Sequence, residues 1–386
     1  MKVVVKNSFF GLLCLITSIS AQANQQIASK TNAMIQQNIV AFMQKNHIPG
    51  AAVEIYINGV PHAYYYGYAN VANKTEITPQ TIFEVGSISK LFTSLLIAQQ
   101  VNANHMKLDD SFTNYIPALA DTNNNDLKNI TLEELATHTS GLPFKAPPSV
   151  TTWPQLVTFC TNWKPTSTIG SQWTYSNMGV GLLGYSIEGQ SHQTYDQLVR
   201  KNIAVPLEMT SLGVTVPKQL QHNYAKGYDI NNQVVKPINM VLFPTAGAVK
   251  VSGQDMQKFL KAAIGLPGTP ATIDSAMRLT QIPYVEVGAM KQGLAWEIRE
   301  IDSQQMDSLL NPISVGSISA TQLNQNQQKF DGNALIEKTG TTDGFRSYIA
   351  VIPDRHSGIV ILTNRTSVDD QIVLTGRKIL FNLCTQ

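Results

Sequence analysis

Cysteine, histidine and charge are all scarce in this chain. Its 386 residues include three cysteines and seven histidines, and 14% of them are charged, with a formal net charge of +2. An average soluble domain has about 25% charged residues. The few cysteines exclude a disulfide-rich scaffold, and the histidines form no His-x-His-x-Asp-His cluster that would indicate zinc. Because the sequence has neither a basic stripe nor an acidic tail, we expect no nucleic-acid partner.

The sequence also lacks an apolar stretch long enough to span a membrane. The apolar segment near the N-terminus, residues 9–16, follows Lys2 and Lys6 and precedes Ala21-Gln22-Ala23. A transmembrane helix needs about twenty apolar residues, which this segment does not reach. A charged start, a short apolar core and a small-x-small site are typical of a cleaved secretory signal. We therefore predict a signal peptide over residues 1–23, no stable membrane anchor and a periplasmic mature protein.

The mature chain would keep two cysteines, Cys160 and Cys384. Their wide separation permits a bridge without favouring one, so we expect buried thiols rather than a structural disulfide. About 360 residues suffice for a large core with more than one layer. We expect a single domain over residues 24–386, and a monomer.

Both ends of the mature chain carry the patterns of strands and helices. Apolar residues recur at helical spacing from Gln25 to Lys45, and Asn58-Gly59 then marks a hairpin turn. Two strands over residues 346–351 and 358–363 precede a final helix over residues 368–383. Between the two ends, helices are predicted over residues 90–103, 131–137, 153–162, 177–190, 195–202 and 253–265. We therefore predict an α+β fold, an α/β sandwich, in which residues 24–80 and 330–386 surround one antiparallel sheet and residues 81–329 are largely helical.

Ser87 and Lys90 lie at the predicted start of a helix. The extended segment 81–86 precedes them, and the apolar run 91–98 follows. Residues three apart share a helix face, so Lys90 would lie beside Ser87, and the helix N-terminus favours negative charge near the serine. Ser87 is therefore a candidate nucleophile. A lone Ser-x-x-Lys is expected by chance about once in a chain of this length, and the alternative is a helix cap at Ser87 beside a solvated Lys90.

Two further motifs accompany that pair. Tyr175-Ser176-Asn177 stands in the middle of the chain, and Lys338-Thr339-Gly340 stands near its end. Ser-x-x-Lys, Ser-Asp-Asn and Lys-Thr-Gly mark class A β-lactamases and penicillin-binding proteins. Because tyrosine begins the middle motif, the chain resembles the class C serine β-lactamases, and beyond them the related penicillin-binding proteins, D-alanyl-D-alanine peptidases and esterases. The resemblance covers nearly the whole mature chain, including residues 132–143, 223–228, 293–297, 344–348 and 358–364.

The resemblance implies that the three motifs meet in a cleft, where Ser87 carries an acyl group without a metal or cofactor. Lysine and tyrosine are normally protonated at neutral pH, so Lys90 or Tyr175 can act as the base only if burial or cations lower its pKa. Lys90 and Lys338 would lower the pKa of Tyr175. The sequence does not assign the base to Tyr175 or to Lys90.

The remaining motif residues are candidate substrate contacts. The amide of Asn177 suits an acyl-amide side chain, Lys338 and Thr339 can donate to a carboxylate, and Gly340 leaves room for substrate at a strand edge. By resemblance, the backbone N–H groups of Ser87 and Thr341 stabilise the oxyanion.

Resemblance to class C also implies that Tyr175 activates the water that releases the acyl group. Class A enzymes use a glutamate in a Glu-x-x-Leu-Asn segment instead. The nearest match here, Asp307-Ser308-Leu309-Leu310-Asn311, has the shorter acid and lies too near Lys338, so we interpret it as a polar loop.

Three positions depart from the class C pattern. Lys145 replaces a usual glutamine that contacts the substrate amide, and we include it among the substrate-binding candidates. Gly247 replaces a tyrosine of the cleft wall, and Asp369 replaces an asparagine that assists carboxylate binding. If Asp369 faces the carboxylate site, like-charge repulsion weakens binding there.

Each candidate also has a purely structural alternative. Tyr175 could be a core aromatic residue, Asn177 a turn residue and Lys338 an exposed strand charge. We expect His138 to satisfy loop backbone groups. Trp173 and Trp296 are expected to serve packing.

We predict a class C β-lactamase whose partner is a small β-lactam substrate. One alternative is a D-alanyl-D-alanine peptidase or esterase with the same site, although esterases of this fold as a rule lack Lys-Thr-Gly. Another is a noncatalytic sensor of β-lactams or muropeptides, which would need a signalling segment that the sequence does not show.

Overall fold

The main sheet combines strands from both ends of the chain with strands from its middle. The computed structural model describes residues 30–301, 317–367 and 370–384. The predicted signal peptide and the segment 307–311 lie outside these ranges. The described strands are β1 Gly50–Ile57, β2 Val60–Asn70, β3 Thr75–Glu76, β4 Ile82–Glu84, β5 Gln172–Trp173, β6 Lys250–Ser252, β7 Val285–Val287, β8 Met290–Gln292, β9 Glu297–Arg299, β10 Ile318–Gln322, β11 Leu335–Thr341, β12 Arg346–Ile352 and β13 Ser357–Thr363.

Within the described ranges, eleven strands form one antiparallel sheet in the order β3-β2-β1-β13-β12-β11-β9-β8-β7-β10-β5. β4 and β6 form a separate pair. The predicted α+β fold with a large antiparallel sheet is confirmed. The sheet is wider than the two chain ends alone would make it, because β5, β7, β8, β9 and β10 come from the region expected to be largely helical.

The hairpin at Asn58-Gly59 forms as the sequence predicts. Asn58 and Gly59 have φ angles of 49° and 82°, and Ile57 pairs with Val60 across the turn. Positive φ at both central residues gives a turn whose twist matches that of the flanking strands. The turn therefore fixes the register of β1 against β2.

Helices cover both faces of the sheet and fill the middle of the chain. They are α1 (residues 30–45), α2 Ser89–Asn102, α3 Pro117–Ala120, α4 Asn125–Lys128, α5 Leu132–Ala136, α6 Trp153–Asn162, α7 Asn177–Ser191, α8 Tyr195–Val199, α9 Pro244–Gly247, α10 Gly253–Ile264, α11 Ala271–Thr280 and α12 Gln371–Cys384. The six helices predicted in the middle are present, although α8 continues beyond Val199 as a π-helical turn, Arg200–Ala204. α11 was not predicted. No helix in the described ranges is long and apolar enough to cross a membrane.

Two hydrophobic cores lie on opposite faces of the sheet. In β13, Ile359 and Ile361 belong to the core formed with α1 and α12, whereas Val360 and Leu362 belong to the core that includes α10 and α2. Side chains alternate between the faces of a strand, so one apolar strand can serve both layers. Cys160 is buried in the second core as a free thiol, and burial raises its pKa to about 12.

Candidate active site

Ser87 lies in a tight turn between β4 and α2. A 3₁₀ turn over Gly86–Ile88 leads into α2, and Ile88 occupies the N-cap position without a side-chain cap. The alternative in which Ser87 caps the helix is therefore wrong. Instead, the Ser87 side chain is half-buried and lines a cleft of about 330 Å³.

Lys90 is completely buried, one turn along α2 from Ser87. Its Nζ lies 3.2 Å from Ser87 Oγ, 2.7 Å from Asn177 Oδ1 and 2.6 Å from the Ala246 carbonyl oxygen. The two carbonyl oxygens can only accept hydrogen bonds, whereas the serine hydroxyl can also donate. A neutral Lys90 would therefore turn its lone pair towards Ser87. Burial lowers the pKa of Lys90, which favours that neutral form, and the solvated alternative for Lys90 is wrong.

Tyr175 packs against two lysines. The centre of its ring lies 4.8 Å from Lys90 Nζ and 5.2 Å from Lys338 Nζ. Burial alone would raise the pKa of Tyr175, but Lys338 and Lys90, together with hydrogen bonds from Ser87 and Lys90, lower it below its usual value. The surroundings thus stabilise a phenolate that can take a proton from Ser87.

Lys338 has a carboxylate partner that the sequence reasoning did not identify. It is 3% exposed, and its Nζ donates to Glu297 Oε1 at 3.0 Å. Burial opposes the charge on Lys338, but Tyr175 and Glu297 raise its pKa overall. The alternative of an exposed strand charge is wrong. Glu297 lies in a family-like segment, yet only the pairing of β9 with β11 brings it to Lys338.

Asn177 begins α7, and its surroundings hold it at the cleft. Ser176 caps the helix by accepting from Gly179 N at 2.8 Å, and the Asn177 backbone N–H donates to the Phe144 carbonyl oxygen at 3.0 Å. The Asn177 side chain accepts from Lys90 and lines the cleft. It is therefore part of the site and not merely a turn residue.

The buried ring of His138 packs against the ring of Tyr175. Its Nδ1 accepts from the Ser176 backbone N–H at 3.2 Å, which confirms that it satisfies a loop backbone group. Its ring centre lies 4.4 Å from that of Tyr175. Burial, reinforced by Lys90 and Lys338, lowers the pKa of His138 well below its usual value, so the ring stays neutral.

Two glycines bring the end of β11 against the serine turn. Gly86 has a φ angle of 50°, and a Cβ there would lie 2.5 Å from Thr341 N. A Cβ on Gly340 would lie 2.0 Å from the Val85 carbonyl oxygen. The sequence predicted that Gly340 leaves room for substrate. In the structure, the absence of a side chain at Gly340 instead leaves room for the Val85 backbone. This approach brings the Thr341 backbone N–H close to the Ser87 turn.

The structure brings most of the predicted site residues into one cleft. Those that line it are Ser87, Tyr175, Asn177, Lys338, Thr339, Gly340 and Thr341, with Lys90 buried just beneath. Trp173 also lines the cleft, and its Nε1 donates to Gln292 Oε1 at 3.0 Å. Trp296 is buried in the core.

The three residues that depart from the class C pattern differ in where they lie relative to the cleft. Lys145 has an exposed side chain over the Phe144 ring, and Phe144 rather than Lys145 lines the cleft. A side chain at Gly247 would meet Met240 Sδ at 2.7 Å, so Met240 occupies that space. Asp369 lies outside the described residues, and its neighbour Asp370 lines the cleft.

Among the described residues, no group of three or more His, Cys, Asp or Glu side chains is arranged to hold a metal ion. The chemistry available in the cleft is that of a serine nucleophile beside a buried lysine and a tyrosine of lowered pKa. With two backbone N–H groups nearby, the fold and the site define a class of serine hydrolases.

Comparisons with known proteins identify the family. The Beta-lactamase family model matches residues 35–380. A β-lactamase of Escherichia coli (strain K12) is 32% identical over 372 residues, which cover 93% of this chain and 94% of that protein. A class C β-lactamase solved in complex with cefoxitin is 31% identical, with a TM-score of 0.86 and coverage of 92% of this chain and 99% of that one. A β-lactamase/D-alanine carboxypeptidase from Pseudomonas syringae also has a TM-score of 0.86 and 31% identity, covering 91% and 99%. The chain belongs to the β-lactamase family of hydrolases.

Proposed function

We propose that this protein is an exported serine β-lactamase of class C type that hydrolyses the β-lactam amide through an acyl-Ser87 intermediate. The observation that carries the proposal is the contact of 3.2 Å between Lys90 Nζ and Ser87 Oγ, beside Tyr175. A similar class C enzyme was solved with the β-lactam cefoxitin, which supports a substrate of this class. Export is proposed from the pattern of residues 1–23, and a monomer remains our expectation.

Acylation begins with removal of the proton from Ser87. Either Tyr175, as the phenolate, or Lys90, as the neutral amine, accepts that proton while Ser87 Oγ bonds to the β-lactam carbonyl carbon. The backbone N–H groups of Ser87 and Thr341 would stabilise the oxyanion. The carbon–nitrogen bond then breaks, and the same base returns the proton to the leaving nitrogen.

Hydrolysis requires a second proton transfer. Water approaches the acyl carbon, gives a proton to Tyr175 and bonds to that carbon, after which the ester to Ser87 breaks and Tyr175 passes that proton to Ser87 Oγ. Tyr175 is suited to this step because Lys338 and Lys90 lower its pKa against the effect of burial. Lys338 keeps its own proton, since Tyr175 and Glu297 raise its pKa.

Time-resolved intact mass tests the proposal. The mature protein is mixed with a penicillin and with a cephalosporin, and product release is followed in parallel. We expect a transient adduct on Ser87 and rapid product formation. Ser87→Ala should abolish both, whereas Ser275→Ala, at an exposed serine of α11, should change neither. Absence of both adduct and product in the wild type would refute a β-lactamase.

A D-alanyl-D-alanine carboxypeptidase is the second candidate. One structural relative is described as both β-lactamase and D-alanine carboxypeptidase, and it has the same overall fold. In that case the adduct would persist without turnover of the β-lactam, while a peptide ending in D-alanyl-D-alanine would be cleaved. The same mass experiment therefore separates the two activities.

A further inference from the structure

Glu297, the partner of Lys338, belongs to a larger network of buried charges. Its Oε1 accepts from Lys338 Nζ at 3.0 Å, and its Oε2 lies 3.8 Å from Arg299 Nη2. Two cations therefore share one carboxylate, each at its own oxygen. Arg299 is 4% exposed, and its Nε donates to Glu337 Oε1 at 2.8 Å. One arginine thus joins two carboxylates.

Glu337 is also held from its other side. Arg377, on α12, donates to it from Nε at 2.9 Å, and the hydroxyl of Tyr348, on β12, donates to it at 2.6 Å. Burial opposes the charge of Glu337, but these contacts and the cation of Arg299 lower its pKa overall. Glu337 therefore stays ionised, and the charges alternate in sign along the network from Arg377 to Lys338.

The pairing of the strands explains the place of Arg299 between the two carboxylates. Glu297 on β9 pairs in register with Glu337 on β11, so their side chains start on the same face of the sheet. Like charges directly opposite each other on neighbouring strands destabilise the pair. Arg299 lies two residues beyond Glu297 on β9 and therefore on the same face. Its guanidinium offsets the repulsion and leaves the other oxygen of Glu297 for Lys338.

Lys338 needs that oxygen on the opposite face of β11, where it lies against the ring of Tyr175. Burial opposes the charge of Lys338, whereas Tyr175 and Glu297 raise its pKa. Arg346, at the start of β12, has the opposite effect. The Glu297 side chain is 20% exposed, so without Arg299 it has room to turn towards water. Lys338 would then lose its hydrogen-bond partner.

We propose that Arg299 is a positioning residue for the base: it holds the Glu297 carboxylate in the orientation that binds Lys338, and so keeps that cation beside Tyr175. The inference rests on the proposed function, in which Tyr175 exchanges protons with Ser87. Arg299 acts through Glu297 and Lys338 and makes or breaks no bond itself. Its loss should raise the pKa of Tyr175, because the nearby cation is held less firmly. A merely structural role would lower stability alone.

Difference titration of the phenolate absorbance tests this directly. Each protein is compared with its own Tyr175→Phe version, so that the other tyrosines cancel. In Arg299→Gln we expect the midpoint of Tyr175 to move upward by about one pH unit, at the low end of what a charge within a few ångströms causes. Arg299→Lys keeps a cation without the guanidinium fork, so its midpoint should lie between the two. Lys90 and His138 also pack against Tyr175 and are the same in every variant.

Tyr348→Phe is the matched control. It removes another buried donor to Glu337, and the lost contact is not with Glu297. It should lower the temperature of thermal unfolding and leave the titration of Tyr175 where it is in the wild type. The proposal is overturned if Arg299→Gln titrates as the wild type does, or if Tyr348→Phe shifts Tyr175 equally. If Arg299→Gln fails to fold, Arg299→Lys decides, and a midpoint at the wild-type value then counts against the proposal.

Profiles of kcat/KM against pH for a cephalosporin, measured in parallel, separate this inference from the proposed function. In Arg299→Gln the acid limb should move upward with the midpoint of Tyr175. Wild-type protein that the cephalosporin does not acylate would refute the proposed function. The titration of Tyr175 would still decide the role of Arg299, because it needs no substrate.

Discussion

Glu54 is a buried carboxyl group that should make the stability of this protein depend on pH. It lies on β1 with no exposed surface, under the start of α10. Its Oε1 accepts from the Tyr65 hydroxyl at 2.8 Å, and its Oε2 is buried without a hydrogen-bond partner in the described structure. Burial raises its pKa from 4.5 to about 8, against a smaller opposing effect of Tyr65.

The sign of the effect follows from where the proton binds more tightly. Between pH 4.5 and about 8, Glu54 is protonated when folded and ionised when unfolded. Stability therefore falls as pH rises through this window, by about 1.4 kcal/mol per pH unit. Over the whole window the loss is about 4 to 5 kcal/mol. Above about pH 8 the loss is complete, and below pH 4.5 it is absent.

Glu54→Gln should remove this dependence, because the amide stays neutral and can still accept from Tyr65. Urea unfolding at pH 5, 6.5 and 8 measures it, through the difference in free energy of unfolding between variant and wild type. That difference should grow with pH in favour of the variant. Glu76→Gln, at an exposed site on β3, should follow the wild type. Parallel pH curves for wild type and Glu54→Gln would refute the reasoning.

Three further predictions concern the site. Lys338→Met removes a charge that lowers the pKa of Tyr175, so the acid limb of the profile of kcat/KM against pH should move to higher pH. Gly340→Ala places a Cβ 2.0 Å from the Val85 carbonyl oxygen, and the acylation rate measured by intact mass should fall roughly a hundredfold or more. His138→Phe leaves a buried backbone N–H without its acceptor, and urea unfolding should show a loss of about 2 kcal/mol, with His138→Asn less affected.

Local features of the site could be predicted from the sequence because their geometry depends on neighbouring residues. Ser87 and Lys90 meet because residues three apart lie on the same face of a helix, and the 3₁₀ turn before α2 preserves that spacing. The hairpin follows from two residues that tolerate positive φ at Asn58-Gly59. In each case the pattern and the structure involve the same few residues.

Contacts between distant segments could not be predicted in the same way. Glu297 and Arg346 both lie in segments that carried the family resemblance, but their partners are set by the pairing of β9 with β11 and of β11 with β12. The strands β7 to β9 have three residues each, too few for a two-residue period to be recognised. The pairing of distant strands therefore sets contacts that the local sequence pattern cannot predict.

In the proposed mechanism, the base and the oxyanion donors depend on one contact, between the serine turn Gly86–Ile88 before α2 and the end of β11. Lys90 comes from α2 and Lys338 from β11, and both lower the pKa of Tyr175. The serine turn and the end of β11 provide the backbone N–H groups of Ser87 and Thr341, which are the proposed oxyanion donors. Ser347, on β12, holds the residue before the serine turn, because its Oγ donates to the Val85 carbonyl oxygen at 2.9 Å. A substitution that separates β11 from the serine turn should therefore weaken the base and the oxyanion donors together, so its effects on rate and on the pH profile should appear in the same variant.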